Sequence, residues 1–173
     1  MANIWFISDT HFSHANILKF KDADGSHFRG DRFTSADHMN DVMIDNWNSC
    51  VRPNDKIYHL GDVHFGADKD CDTILSKLNG HKRLIVGNHD KITRGSPLIK
   101  HFDKILLWWP FEGFIFSHVP LREDQMRTRK GDVMNVHGHI HQNNSPSHRH
   151  INICVEKTDF KPVNIDELRI HGL

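Results

Sequence analysis

The chain has 173 residues, of which 38% are hydrophobic and 25% are charged, a composition typical of a globular protein with its own core. Lys and Arg number 22 and Asp and Glu also number 22, so the zero formal charge argues against a general nucleic-acid coat or a polybasic membrane anchor. We expect a single cytoplasmic domain over residues 1–173, because no apolar run could span a membrane, the N-terminus lacks a signal-peptide pattern, and the widely spaced Cys50, Cys71 and Cys154 favour free thiols.

Apolar runs of strand length recur along the chain, with helical patterns between the early ones. The predicted strands are Ile4–Ile7, Lys56–Leu60, Arg83–Val86, Ile105–Trp109, Phe114–Phe116, Val133–Val136 and Ile151–Val155. The first predicted helix follows Thr34–Asp37, which resembles a capping box with Asp in place of Glu. Its apolar positions share one helical face: Met39, Val42, Met43 and Trp47. The second predicted helix runs from about Asp68 to Leu78, with Gly80 as its stop.

The order strand, helix, strand, helix, strand in the first half predicts parallel βαβ units. The second half reads as strands and turns, with Pro110–Gly113 as a hairpin turn and Leu121–Asp132 as a polar surface loop. We interpret Trp108 and Trp109 as strand packing, with a partner surface as the alternative. The expected fold class is therefore α/β, a mixed β-sandwich of two sheets flanked by helices.

The chain contains 16 histidines, and histidine is both the commonest metal ligand and a proton shuttle near neutral pH. Five short segments place Asp, Asn or His directly after predicted strands: Asp9-Thr10-His11, Gly61-Asp62, Gly87-Asn88-His89-Asp90, Ser117-His118 and Gly138-His139-Ile140-His141. In open α/β sheets, binding residues collect at the carboxyl ends of the strands. We therefore expect the five segments to converge on one rim.

The residue types in these segments predict a transition-metal site. Carboxylates, an amide oxygen and imidazoles suit ions such as Mn, Fe, Zn, Co or Ni, whereas a structural zinc site would use thiolates and a calcium or magnesium site more oxygen. Seven candidate ligands are too many for one open catalytic ion. They suit two ions that share a carboxylate.

The ordered segments D-x-H, G-D, G-N-H-D, H and G-H-x-H resemble the calcineurin-like metallophosphoesterase superfamily over about residues 3–156. Ser8–His14 and Tyr58–Asp62 are similar to the small, single-domain bacterial and phage type. The resemblance implies a two-sheet sandwich and a dinuclear phosphoesterase. In such an enzyme, two ions ~3.5–4 Å apart polarise the phosphoryl group and supply a hydroxide nucleophile.

The resemblance also implies a role for each matching residue. Asp9, His11 and His141 would hold the first ion, Asn88, His118 and His139 the second, and Asp62 would bridge both. His89 would stabilise the transition state or protonate the leaving oxygen, with Asp90 orienting it. Mn is the first choice of ion, with Fe, Zn, Ni and Co as alternatives.

The substrate expected is a small phosphodiester or nucleotide rather than long nucleic acid, and the oligomeric state is left open. Candidate substrate-binding residues are His14, Arg122, Arg127 and Arg129. The loop from Lys19 to Arg32, which includes Arg29, could wall the same pocket. Two alternatives remain open: a non-catalytic protein-binding scaffold on the same fold, and a nuclease of the same superfamily. The presence of His89 argues against the scaffold, and the absence of room for a DNA-holding domain argues against the nuclease.

Overall fold

The computed structural model describes residues 2–22 and 24–171, apart from the side chain of His171. The helices are α1 (Ala36–Cys50), α2 (Asp68–Lys77), α3 (Pro97–His101) and α4 (Ile165–His171), with short 3-10 helices at Ala15–Lys19 and Glu123–Gln125. The strands are β1 (Ile4–Ile7), β2 (Lys56–His59), β3 (His81–Ile85), β4 (Lys104–Leu106), β5 (Trp108–Phe111), β6 (Phe114–Ser117), β7 (Arg127–Thr128), β8 (Gly131–Asp132), β9 (Met134–His137), β10 (His150–Asn152) and β11 (Val163–Asn164).

The first sheet has the strand order β11-β1-β2-β3-β4, in which β1 to β4 run parallel and β11 is antiparallel to β1. Helix α1 connects β1 to β2 and α2 connects β2 to β3, as the alternating pattern predicts. Helix α1 begins one residue later than the capping-box pattern indicates. Ser35 is its N-cap, and the Ser35 hydroxyl accepts a hydrogen bond from the backbone N–H of His38 at 3.1 Å.

The second sheet has the order β10-β9-β6-β5, with β6, β9 and β10 parallel and β5 antiparallel to β6. Phe111 pairs with Phe114, so the hairpin turn is Glu112-Gly113, with φ angles of 48° and 84°. The predicted turn starts too early because Pro110 and Phe111 extend β5. The loop predicted at 121–132 contains a second, short hairpin, β7–β8.

The predicted strand Ile105–Trp109 is wrong as a single element. Lys104–Leu106 pairs with β3 in the first sheet, whereas Trp108–Phe111 pairs with β6 in the second, and the chain crosses between the sheets at Leu107. The apolar run is continuous because both strands contribute to buried surfaces. Hydrophobicity alone therefore does not reveal where the chain changes sheets.

Stacked aromatic rings join the two sheets. The rings of Phe6 and Phe116 lie 4.2 Å apart, and those of Tyr58 and Trp109 lie 4.1 Å apart. The other face of the first sheet packs against α1 and α2, and its core includes Ile7, Ile57, Leu84, Met43 and Trp47. This mixed α/β sandwich of two sheets flanked by helices confirms the predicted fold class. Within the part of the chain that the structure describes, no helix is long and apolar enough to cross a membrane.

Candidate metal centre

The loops that follow five parallel strands meet at one rim of the sandwich. Asp9 and His11 follow β1, Asp62 follows β2, Asn88 follows β3, His118 follows β6, and His139 and His141 follow β9. Backbone hydrogen bonds join the loops: the N–H of Asp9 donates to the carbonyl of Gly61 at 3.0 Å, and that of Gly138 donates to the carbonyl of His118 at 2.9 Å. The seven residues predicted as ligands are thus brought together.

Several of these residues have a left-handed backbone conformation. The φ angles are 57° at Asp9, 46° at His11, 57° at Asp62, 72° at His139 and 50° at His141. Such a conformation costs about 1–3 kcal/mol for a residue other than glycine, and it persists where the surrounding structure holds it at a functional site. The turns therefore aim specific side chains at the rim, at a cost in stability.

Two glycines let the carboxylates lie directly against the backbone. A Cβ atom at Gly138 would lie 2.2 Å from Oδ2 of Asp9, and one at Gly87 would lie 2.2 Å from Oδ1 of Asp62. The same oxygens accept backbone hydrogen bonds at 2.9 Å, from His139 to Asp9 and from His89 to Asp62. Each carboxylate is thus fixed through one oxygen and presents the other to the rim.

The first ligand group consists of Asp9, His11 and His141, whose ligand atoms all lie within 4.8 Å of one another. Oδ2 of Asp9 also accepts hydrogen bonds from the Ser8 hydroxyl at 2.5 Å and the Cys154 thiol at 3.2 Å. Oδ1 of Asp9 and Nε2 of His11 are buried without a hydrogen-bond partner among the described residues. Burial strongly lowers the pKa of His11, so the ring is neutral and offers a lone pair.

The second ligand group consists of Asp62, His118 and His139, also within 4.8 Å of one another, together with Asn88. Nδ1 of His118 donates to the carbonyl of Leu60 at 2.7 Å, so Nε2 carries the lone pair. That lone pair faces Oδ1 of Asn88 at 2.8 Å and Oδ2 of Asp62 at 3.5 Å. Nδ1 of His139 also lies 3.2 Å from Nε2 of His118. Four potential ligand atoms therefore converge at a place that suits a cation.

Asp62 lies between the two groups. Its Oδ2 is 3.6 Å from Nε2 of His11 in the first group and 3.5 Å from Nε2 of His118 in the second. An unsatisfied buried polar group costs roughly 1–3 kcal/mol, which coordination of an ion would offset at Asp9 and His11. The carboxylate, amide and imidazole donors fit two divalent transition-metal ions.

A buried ion pair supports the first group from behind. Oε1 of Glu156 accepts hydrogen bonds from Nε of Arg29 at 2.7 Å and from Nδ1 of His141 at 3.0 Å, which leaves Nε2 of His141 for a metal. Arg29 also donates to the backbone carbonyls of Asp9 at 2.6 Å and Thr10 at 2.8 Å. Arg29 is therefore a buried residue that holds the loop of Asp9 and Thr10 in place, rather than a pocket wall.

His89 and Asp90 have separate environments. The His89 ring is exposed and lies edge-on to the rings of Phe65 and His11, with centroid distances of 5.4 and 5.7 Å. The Asp90 carboxylate accepts hydrogen bonds from the backbone N–H groups of Asp62 at 3.0 Å, Val63 at 3.0 Å and Gly87 at 2.8 Å. Asp90 thus links the loop of Asp62 to the loop of Asn88 through backbone hydrogen bonds, which differs from the role of orienting the His89 ring.

The structure does not bring the four candidate substrate-binding residues together at one place, although Arg127 and Arg129 line a common cavity. His14 is 9% exposed, and its Nδ1 accepts the backbone N–H of Ile17 at 3.0 Å, so it caps a 3-10 helix beside the site. Arg122 is exposed and pairs with Asp124. Arg129 lines a cavity next to Phe111 and Lys130. Of these residues, Arg127 lines a cavity that also reaches Asn88 and His118.

Sequence reasoning did not assign a supporting role to several residues that hold the candidate ligands in place. They are Ser8, Arg29, Cys154 and Glu156, and His59 supports the same loops. His59 bonds Thr10 Oγ1 at 2.9 Å and accepts the N–H of Gly61 at 3.2 Å, and burial lowers its pKa to about 3. His59 lies three residues before Asp62 in the sequence, and a residue close to a ligand is a candidate to orient it.

The sequence model of the calcineurin-like phosphoesterases matches residues 2–168. The uncharacterized protein MJ1445 of Methanocaldococcus jannaschii is 34% identical over 96% of this chain and 89% of its own length. The Gene 66 protein of Mycobacterium phage D29 is 29% identical over 82% of this chain and 79% of its own length.

Two solved structures share the fold. The protein of unknown function AQ665 from Aquifex aeolicus superposes with a TM-score of 0.73 at 28% identity and covers 98% of this chain and 99% of its own. The Pseudomonas putida nuclease MPE has a TM-score of 0.50 at 15% identity, over 80% of this chain and 61% of its own. At that identity, the second likeness concerns the fold alone.

Proposed function

The chain belongs to the calcineurin-like phosphoesterase family, and from this membership we propose that it is a dinuclear phosphodiesterase that hydrolyses small nucleotide-type esters. The family and the two His/Asp groups support metal-dependent phosphoester hydrolysis. The observation that carries the dinuclear proposal is the position of Asp62 Oδ2, 3.6 Å from a ligand nitrogen of one group and 3.5 Å from a ligand nitrogen of the other.

In the proposed site, the first group would hold one ion, the second group and Asn88 would hold the other, and Asp62 would be shared by both. Manganese is the proposed ion, since the donor set lacks thiolate and mixes hard oxygen with imidazole nitrogen. Bound divalent ions would polarise the phosphoryl oxygens and lower the pKa of an attacking water.

The proposed role of His89 is to move a proton. Its exposed ring lies beside the first group, where a ring N–H can donate to the leaving oxygen of the ester. The backbone N–H of His89 donates to Oδ1 of Asp62 at 2.9 Å. The same residue therefore carries the proposed acid and fixes the shared carboxylate. Asp90 is a positioning residue, because its three backbone hydrogen bonds fix the loops that carry Asp62 and His89.

Two cavities support a diester over a monoester. One, of about 540 Å³, reaches from Asn88 to Trp108, and the other, of about 450 Å³, reaches from Asn88 past His89 to Phe65 and Lys91. A phosphodiester carries two organic groups and a monoester one. Two cavities that meet at a ligand of the second group therefore provide a place for each group of a diester.

The charge distribution supports a small substrate. Binding to long nucleic acid depends on many cations along a surface, whereas this chain has a formal charge of zero. Arg122 and Arg127 are each paired with an aspartate, Asp124 and Asp132. These pairs leave little net positive charge along the loop that carries them.

The test is to incubate the Mn²⁺-loaded protein with bis(p-nitrophenyl) phosphate, p-nitrophenyl phosphate, cyclic nucleotides and short oligonucleotides, and to measure kcat/KM for each. We expect diesters to be the better substrates and chelation to abolish turnover. A preference for p-nitrophenyl phosphate over every diester would overturn the choice of diester. Full activity after chelation would overturn the metal mechanism.

A polynucleotide nuclease is the second candidate, since the Pseudomonas putida nuclease shares the fold. The same substrate panel distinguishes it. Cleavage of long DNA with a steep salt dependence would favour the nuclease, because each phosphate contact adds to the salt slope. Metal-loaded protein inactive on all esters would instead favour a non-catalytic scaffold.

A further inference from the structure

The larger of the two cavities extends well beyond the ligand groups. It shares Asn88 and His118 with the second group and continues past Val119 to Trp108 and Arg127, enclosing about 540 Å³. Asn88 and His118 account for one end of the cavity. The other end lies outside the chemistry assigned to the two groups and requires its own explanation.

Trp108 and Trp109 have opposite environments although they are adjacent on β5. Trp109 packs between the sheets, with its ring 4.1 Å from that of Tyr58 and 4.6 Å from that of Phe111. Trp108 exposes 56% of its surface, and the neighbouring Leu107 and Val119 expose 76% and 45%. Core packing therefore does not explain Trp108, and clustered apolar exposure of this kind marks a binding surface.

Polar groups stand beside this apolar wall. Arg127 lines the cavity, and its pairing with Asp132 at 3.1 Å is between side chains that are 76% and 63% exposed, so it restrains the guanidinium weakly. Gln125 also lines the cavity, and its Oε1 accepts the backbone N–H of Arg122 at 3.2 Å. Its amide –NH2 remains as a donor. The cavity thus combines an exposed indole with planar hydrogen-bond donors.

We propose that this cavity binds a nucleobase of the substrate, stacked on Trp108 with its edge facing Arg127 and Gln125. The proposal rests on the phosphodiesterase function, to which it adds the identity of one ester group. A nucleobase offers a flat π-face for the indole and carbonyl or ring-nitrogen acceptors for the donors, whereas an aliphatic group offers neither. The cavity is continuous with Asn88, so a base there remains linked to a phosphate at the second group.

The kinetic test compares two diesters, thymidine 5′-(p-nitrophenyl phosphate) and ethyl p-nitrophenyl phosphate. They share a leaving group, and the nucleoside of the first, which carries the base, is replaced by ethyl in the second. Trp108→Leu should raise KM for the thymidine diester about 5- to 150-fold, the range expected from loss of one base–aromatic stack. It should leave the ethyl diester nearly unchanged, and Trp108→Phe should retain most of the difference. Ile170→Ala, at a residue 76% exposed on α4, is the matched surface control.

A binding test does not depend on turnover. Thymidine 5′-monophosphate should quench the tryptophan emission of the wild-type protein saturably, and the quench should be largely lost in Trp108→Leu. Inorganic phosphate at the same concentration should not produce it. A folded Trp108→Leu protein, as judged by circular dichroism, that keeps the full quench would overturn the proposal.

The outcomes separate this proposal from the function on which it rests. Equal KM changes on the two diesters would overturn the base site and leave phosphodiester hydrolysis intact. Failure of the wild-type protein to hydrolyse either diester would overturn the function, while the quench would still report on the cavity. A wild-type dimer in sedimentation that Trp108→Asp converts to a monomer would assign the patch to a second copy of the chain and overturn the nucleobase proposal.

Discussion

The two ligand groups share Asp62 but differ in what lies behind them and in front of them. Asp9 and His11 of the first group are 0% and 4% exposed, a burial that His118 of the second group shares at 4%, but only the first group has the buried pair Arg29–Glu156 behind it. The second group has backbone support, since His118 donates to the carbonyl of Leu60, and its Asn88 is exposed where both cavities open.

This difference indicates that the groups divide the work. Buried charge behind a histidine fixes its orientation and increases its basicity. Burial alone would lower the pKa of His141, but the hydrogen bond and charge of Glu156 raise it. We therefore expect the first group to hold its ion firmly and the second group, open to both cavities, to exchange ligands with the substrate.

The largest effect is expected from replacing Asp62, the residue that the two groups share. Asp62→Ala should lose most of both ions and reduce kcat by ~10³-fold or more, because the site loses its shared carboxylate and the electrostatic stabilisation that depends on it. The measurement is metal content per chain together with kcat, and Asp45→Ala, at an exposed aspartate on α1, is the control. A variant that keeps two ions per chain would show that the groups are independent.

The next effect concerns chemistry at the mouth of the site. His89→Ala should keep both ions and lose ~10²–10⁴-fold in rate on an alkyl ester, the range for general acid catalysis. The loss should be smaller on a nitrophenyl ester, because nitrophenolate leaves without a proton. Equal losses on the two esters would reject the acid role and leave an electrostatic one.

A smaller effect should separate the two groups from each other. Glu156→Gln removes the charge behind His141 and should weaken one ion by ~10–100-fold while sparing the other. Competitive metal titration monitored by elemental analysis measures both affinities. The matched control is Asp159→Asn, at a residue close to Glu156 in sequence, which breaks the exposed pair with Arg32. Equal weakening of both ions would contradict the division between the groups.

The smallest effect is a pH dependence of stability in the metal-free protein. Burial alone would raise the pKa of Glu156, but Arg29 and His141 lower it below the ordinary value of 4.5. Its ionised form therefore contributes stability that is fully present above pH 4.5 and is lost as the pH falls through the lower folded-state pKa. The melting temperature of the wild-type protein should fall more steeply in this acid range than that of Glu156→Gln. Parallel curves would show that the Arg29–Glu156 pair contributes no pH-dependent stability.

The proposed ligands and the residues that support them also differ in how far the sequence predicts them. The proposed ligands each follow an apolar strand and carry a metal-binding side chain, so local pattern is sufficient to find Asp9, Asp62 or His118. Arg29 and Glu156 lie 127 positions apart. Arg29 occurs in a charged segment that resembles an ordinary surface loop, whereas Glu156 directly follows the predicted strand Ile151–Val155 but belongs to none of the five segments. Local sequence does not show that the two residues form a buried pair, because that depends on how the loops close over the first group.

Parts of the fold also differ in how well the sequence predicts them. The parallel βαβ units were predictable because helix and strand periodicities alternate there. The crossing at Leu107 was not, because β4 and β5 form one continuous apolar run although they belong to different sheets. For the same reason Trp108 was interpreted as packing together with Trp109, and its exposure became visible through the position of β5 at the edge of the second sheet.

The most direct test of the account is the number of ions that the wild-type chain binds. Protein supplied with excess Mn²⁺, freed of unbound metal and measured by elemental analysis, should contain two ions per chain. The first should be retained through extended dialysis and the second lost more readily. A content of at most one ion per chain under these conditions would contradict the sharing of Asp62 between two metal sites.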